Sequence, residues 1–155
     1  MTEKQQIEKS TINYFISYYP GNSLHLIRTG DKPDFTLADK TSNKKIGAEV
    51  TTLFYDSGEA RTLLGRSSSD GSGVMNSDEI IKQLNLRIQD KENKIKNYTK
   101  HDKFFLIILV ASLIFDKSTF DRFEEDIIAR SKYDEIWLIL YNFKNQKWQD
   151  LKKLK

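Results

Sequence analysis

Two acidic residues stand in unusual company. Asp34 lies in Lys32-Pro33-Asp34-Phe35, and Glu49 follows fifteen positions later in Ile46-Gly47-Ala48-Glu49-Val50-Thr51. Both surroundings are apolar and strand-like. An ionised carboxylate inside or beside a sheet is unfavourable unless its charge is compensated, and two of them on neighbouring strands repel. A divalent cation is the natural compensator, and hard oxygen donors suit Mg²⁺ or Mn²⁺. The pair therefore predicts a metal site on a small sheet. A plainer account has Asp34 capping a turn and Glu49 on the exposed face of an alternating strand, which makes the two acids independent.

Two further residues point toward the same place. A helix predicted from Asn76 to about Tyr98 carries the apolar stripe Ile81, Leu84, Ile88, Ile95 and Tyr98. The gap of seven in that stripe calls for an apolar residue at position 91, and Lys91 stands there. Lysine is almost never fully buried without a partner. Lys91 either meets a carboxylate, a metal-bound water or a phosphate, or snorkels past the core edge to solvent. Glu8 sits on the stripe of the first helix with Ile12, Phe15 and Tyr19. It is a third candidate carboxylate, or a solvated glutamate favoured by the helix dipole.

The elements that must position these residues follow from periodicity. Residues 3–19 predict a helix ended by Pro20-Gly21. Strands are predicted at 23–28, 34–38 and 45–53, separated by polar turns, and form an antiparallel meander. Asn76 followed by Glu79 is a helix-start signature for the long helix. Phe104 to Ile114 reads as a buried strand. Ser118 or Thr119 is expected to cap a second helix through Ile128. A last strand covers 136–141, and the tail from Lys144 reads as polar. Strands alternating with helices late in the chain imply parallel crossovers. The expected fold is thus α/β, a mixed sheet flanked by helices in the order αβββαβαβ.

Residues 56–76 include Ser67-Ser68-Ser69-Asp70-Gly71-Ser72-Gly73 and read as a flexible loop inside a single domain spanning 1–155. Arg61 and Arg66 in it are candidate contacts to a phosphate backbone, or simply solvated loop charges. The chain has no cysteine, which excludes disulfides and thiolate zinc sites and fits a cytoplasmic location. Its first nine residues are polar and mixed in charge, unlike a secretory signal. The apolar run Phe104 to Phe115 is too short to span a bilayer as a helix, so no membrane partner is expected. A net charge of +3 permits an anionic partner such as nucleic acid without demanding one. His25 and His101 show no zinc spacing, and Gly71 and Gly73 lack the lysine of a phosphate-cradling loop.

Pro33-Asp34 on the second strand and Gly47-x-Glu49-Val50-Thr51 on the third, within this element order, resemble the PD-(D/E)XK nuclease superfamily, in particular small bacterial members. The likeness covers roughly residues 5 to 142 and implies a restriction endonuclease-like core. It also implies metal-dependent hydrolysis of phosphodiester bonds in DNA or RNA. Asp34, Glu49 and the Val50 carbonyl would hold Mg²⁺ or Mn²⁺. The chain departs from the pattern at Thr51, where such enzymes carry a lysine. Glu49 and Thr51 share a strand face, but threonine supplies no charge. In some members the lysine has moved to the following helix, which gives Lys91 the role, with Lys94 one turn away as the alternative. Members that cut both strands often dimerise, so a homodimer is one expected assembly. A degenerate member that binds nucleic acid or a protein, and an immunity-type interaction protein, are the competing readings.

Overall fold

The computed structural model describes residues 2–30, 32–53, 77–111, 116–127, 131–142 and 147–155. The chain runs α1 (Glu3–Tyr18), β1 (Leu24–Thr29), β2 (Phe35–Asp39), β3 (Lys44–Leu53), α2 (Ser77–Glu92), β4 (Lys103–Ala111), α3 (Lys117–Arg122), β5 (Glu135–Asn142) and β6 (Lys147–Lys153). The expected loop at 56–76, with Arg61 and Arg66, lies outside the described residues.

The six strands of the described residues form one mixed sheet in sequence order. β1, β2 and β3 make the expected antiparallel meander, β4 runs parallel to β3 and β5 parallel to β4. α2 and α3 lie in the two parallel connections. α1 covers the opposite face. The alternation of β4 shows why its sequence is continuously apolar. Leu106, Ile108 and Val110 join Leu84, Ile88 and Phe120 on one face. Phe105, Ile107 and Leu109 join Ile12 and Phe15 on the other. A parallel strand buried on both faces has no polar side to show.

Several boundaries differ from expectation, each for a local reason. α1 starts with a full capping box, in which Thr2 and Gln5 satisfy each other's backbone amides. α2 stops at Glu92 rather than continuing to Tyr98. Its end tightens into 3₁₀ geometry, with Lys94 N–H bonding the Lys91 carbonyl at 3.0 Å. Asp116, not Ser118 or Thr119, caps α3: its side chain accepts the Thr119 amide hydrogen at 3.3 Å. α3 is also shorter than expected and gives way to a 3₁₀ turn at Glu124–Asp126.

The largest difference is β6, which occupies the tail expected to be polar and pairs antiparallel with β5. A register shift between Leu140 and Tyr141 breaks the period of two. Trp148 and Leu151, three residues apart, therefore reach the same α1-side core. On the other face the Lys152 ammonium is held by Asp121 at 2.6 Å and Glu124 at 3.3 Å. A strand with that pattern does not look like one in sequence.

Candidate functional site

The site forms where β2 ends beside a longer neighbour. The β2–β3 register stops at Phe35 opposite Ala48, so Glu49 to Leu53 pair with β4 alone. Asp34 occupies the vacated place: its Oδ2 accepts the Val50 amide hydrogen at 3.0 Å. In an extended strand the N–H and C=O of one residue point the same way. The Val50 carbonyl therefore also faces this open edge. Val50 packs its side chain toward α1, so Glu49 and Thr51 turn toward α2.

Gly47 explains the close fit of the two motifs. A Cβ at that position would come within 2.8 Å of the Pro33 ring and 2.9 Å of the Phe104 ring. The absent side chain lets Pro33 lie flat on β3, and Pro33 directs Asp34 to the edge. The Lys32 carbonyl is held by the Thr99 amide at 2.9 Å, and the Gly30 amide by the Asp34 carbonyl at 2.8 Å. The turn that carries Asp34 is thus tied on both sides.

The Asp34 and Glu49 carboxyls are close enough for a side-chain hydrogen bond between them. Burial, that bond and the charge of Glu49 push the Asp34 carboxyl up to about 8, against the lowering influence of the Val50 amide and Lys91. Glu49 is 7% exposed. Its Oε2 accepts a short hydrogen bond from the Tyr98 hydroxyl. Tyr98 in turn meets the Tyr133 hydroxyl at 3.1 Å, and Tyr133 donates to the Lys91 carbonyl at 3.2 Å. Both phenols are raised well above their ordinary value, chiefly by burial.

A cleft of about 580 Å³ opens over the pair, lined by Glu8, Asp34, Glu49, Val50, Thr51 and Lys91 among others. The structure thus brings the expected carboxylates, Thr51 and Lys91 to one cavity. Lys91 continues the stripe of Ile81, Leu84 and Ile88 at the end of α2, and its charge acts on both Asp34 and Glu8. Glu8 enters from α1, across the sheet edge. Burial raises its carboxyl, the charge of Asp34 adds to this, and Lys4, 3.9 Å away, opposes it. Lys94 is outside the cleft, half exposed and paired with Asp90 at 3.5 Å.

Sequence reasoning did not single out Tyr133 or Arg87 for this site, and placed Tyr98 only in an apolar stripe. The hydroxyl of a buried tyrosine needs a partner. A tyrosine closing an apolar stripe that already holds a misplaced lysine was the available signal.

The donor set fits a hard divalent cation. Mg²⁺ commonly uses one or two carboxylates with its remaining positions filled by water or substrate. Asp34, Glu49 and the Val50 carbonyl supply that much, and burial together with the neighbouring Glu49 raises the Asp34 carboxyl. Among the described residues, no group of three or more His, Asp or Glu is gathered closely enough to form a cage by itself. Likewise no described helix is long and apolar enough to cross a membrane. Compared with known protein families, curated proteins and solved structures, the chain finds no match.

Proposed function

We propose that this protein is a metal-dependent nuclease with a restriction endonuclease-like core, hydrolysing phosphodiester bonds of DNA or RNA. One observation carries the reading: Asp34, in the turn before β2, and Glu49, on β3, meet at a bare sheet edge in the same cleft as Lys91. Asp34, Glu49 and the Val50 carbonyl would hold Mg²⁺ or Mn²⁺. Such an ion, when bound, lowers the pKa of a water and neutralises charge developing on the phosphate. Asp34 would give up its proton to make room for such an ion. Tyr98 fixes the orientation of Glu49, and Asp34 is fixed by the Val50 amide. Lys91 brings the positive charge that Thr51 lacks, aimed where negative charge grows in the transition state. Thr51 also supports a second reading, a degenerate member that binds nucleic acid without cutting it.

The deciding test is calorimetric Mn²⁺ titration paired with cleavage of plasmid DNA and of a labelled RNA. The wild type is expected to bind metal and cut; Asp34→Ala with Glu49→Ala should lose both. Lys91→Ala should keep metal binding and lose cleavage. A wild type that binds no metal at millimolar concentration would overturn the proposal. Metal binding without any cleavage would favour the degenerate member.

A further inference from the structure

The cleft over the acid pair does not end there. A second cavity of about 530 Å³ shares Thr2, Lys4, Glu8 and Asp34 with it, and adds Lys9, Thr29 and Gly30. A third, of about 620 Å³, shares Thr29 and Gly30 with the second, and is lined by Arg28, Lys32, Thr99 and His101. Shared lining residues make these neighbouring cavities, and the groove inferred from them runs from α2 past the carboxylates to the Pro33 turn. Arg87 and Lys91 stand at one end, Arg28 and Lys32 at the other.

We infer that the Arg28–Lys32 end of this groove is a backbone-phosphate subsite, holding a polynucleotide strand next to the phosphodiester bond at the acid pair. It is assigned to the same substrate as the acid pair and rests on the nuclease reading. Charge complementarity selects the occupant. Arg28 and Lys32 are exposed, and among the described residues neither is engaged in an ion pair. The wall behind them is rigid and already satisfied. His101 Nδ1 lies 2.6 Å from the Thr99 carbonyl, which can only accept, so Nδ1 carries the proton. Nε2 is hydrogen-bonded to the Thr36 hydroxyl at 2.8 Å. His101 therefore braces the wall through Thr36 and Thr99, and Lys32 is held by its own carbonyl bond to Thr99. Among the described residues these two cations are unpaired, and the frame that carries them is held by hydrogen bonds.

Both cations lie close to the acid pair along the chain or across the ladder. Lys32 is two residues from Asp34, a chain reach of at most about 7 Å between Cα atoms. Arg28 pairs with Thr36 across the β1–β2 ladder, on the same side of the turn. A strand seated on these two cations passes the acid pair on its way to Arg87.

The test is fluorescence anisotropy of a labelled 20-nucleotide single strand, as DNA and as RNA, and of the matching DNA duplex. EDTA is present to prevent cleavage, and wild type is compared with Arg28→Ala/Lys32→Ala over a range of salt. Binding should weaken at least tenfold in the variant. Loss of two phosphate contacts should flatten the slope of log K against log salt by about 1.4 for a single strand or 1.8 for a duplex. Mn²⁺ affinity measured by calorimetry should not change. Equal oligonucleotide affinity and slope in the two proteins would overturn the subsite, as would a wild type that binds none of the three probes. Failure of the nuclease reading looks different: metal binding or cleavage is then missing in the wild type while oligonucleotide binding still depends on Arg28 and Lys32.

Discussion

Asp34 Oδ2 and the Val50 amide, 3.0 Å apart, form the bond that the next rung of the β2–β3 ladder would otherwise have made. A side chain has replaced a strand partner. The replacement brings a carboxylate against the backbone of its neighbour and beside Glu49, and leaves the Val50 carbonyl open. The site is therefore built by ending a strand one residue early.

This arrangement makes the acid pair sensitive to pH. Asp34 keeps its proton in the fold up to about 8, whereas an unfolded aspartate loses it near 3.9. Between those limits the native state binds more protons than the unfolded state. The contribution of Asp34 to stability is thus complete below about pH 4 and declines as pH rises toward 8. Thermal melting from pH 4.5 to 9 should show that decline in the wild type. It should be much smaller in Asp34→Asn, whose amide stays neutral. Proton and cation compete for one place, so 5 mM Mn²⁺ should raise the melting temperature more at pH 8.5 than at pH 6.

Gly47→Ala tests how tightly the two motifs fit. The new methyl would meet the Pro33 ring at 2.8 Å and the Phe104 ring at 2.9 Å, neither of which is the end of a flexible chain. Overpacking of this kind costs about 1–3 kcal/mol. Because Pro33 carries Asp34, the variant should also bind Mn²⁺ more weakly than wild type. Urea denaturation and calorimetry on one preparation would check both; a Gly47→Ala protein of wild-type stability would mean that β3 and the turn yield easily.

The meander and the parallel strands were legible because burial wrote a clear pattern into them. β4 is apolar from Phe104 onward, and β3 alternates around Gly47 and Glu49. The acid pair was legible because charges in such strands need an explanation, and Lys91 because it interrupts a stripe. Tyr98 and Tyr133 were hidden: their rings satisfy the same periodicity as any core residue, and only their hydroxyl partners reveal a second role. β6 was hidden for a geometric reason, since its bulge puts Trp148 and Leu151 on one face at a spacing that no regular strand has.

Tyr98→Phe should separate support of Glu49 from packing. The ring would remain against Phe104, 5.8 Å between centroids, while Glu49 Oε2 and the Tyr133 hydroxyl both lose a partner. Leaving buried polar groups unpaired costs about 1–3 kcal/mol. Mn²⁺ affinity should fall several-fold, because Glu49 no longer has a fixed orientation. Tyr133→Phe removes a hydroxyl that does not touch Glu49 and should change stability more than metal affinity. Equal effects of the two variants on metal binding would assign Tyr98 a structural role only.

Trp148→Ala probes the strand that the sequence concealed. Trp148 stacks on Tyr14 of α1 with centroids 4.7 Å apart and meets Tyr141 of β5 edge-on at 4.8 Å. It therefore joins the first helix to the last two strands, on the side of the sheet remote from the Asp34 turn. Truncating a large aromatic in a core costs about 3–5 kcal/mol; Trp148 is only half-buried, so about 2 kcal/mol is expected. Hydrogen exchange should rise first in β6, which is bonded on one edge only, and then in α1. Since α1 also carries Glu8, the expected secondary effect is a modest loss of Mn²⁺ affinity with Asp34 and Glu49 intact. Unchanged exchange in α1 would show that the helix is held by Ile12 and Phe15 alone and that β6 is an independent edge.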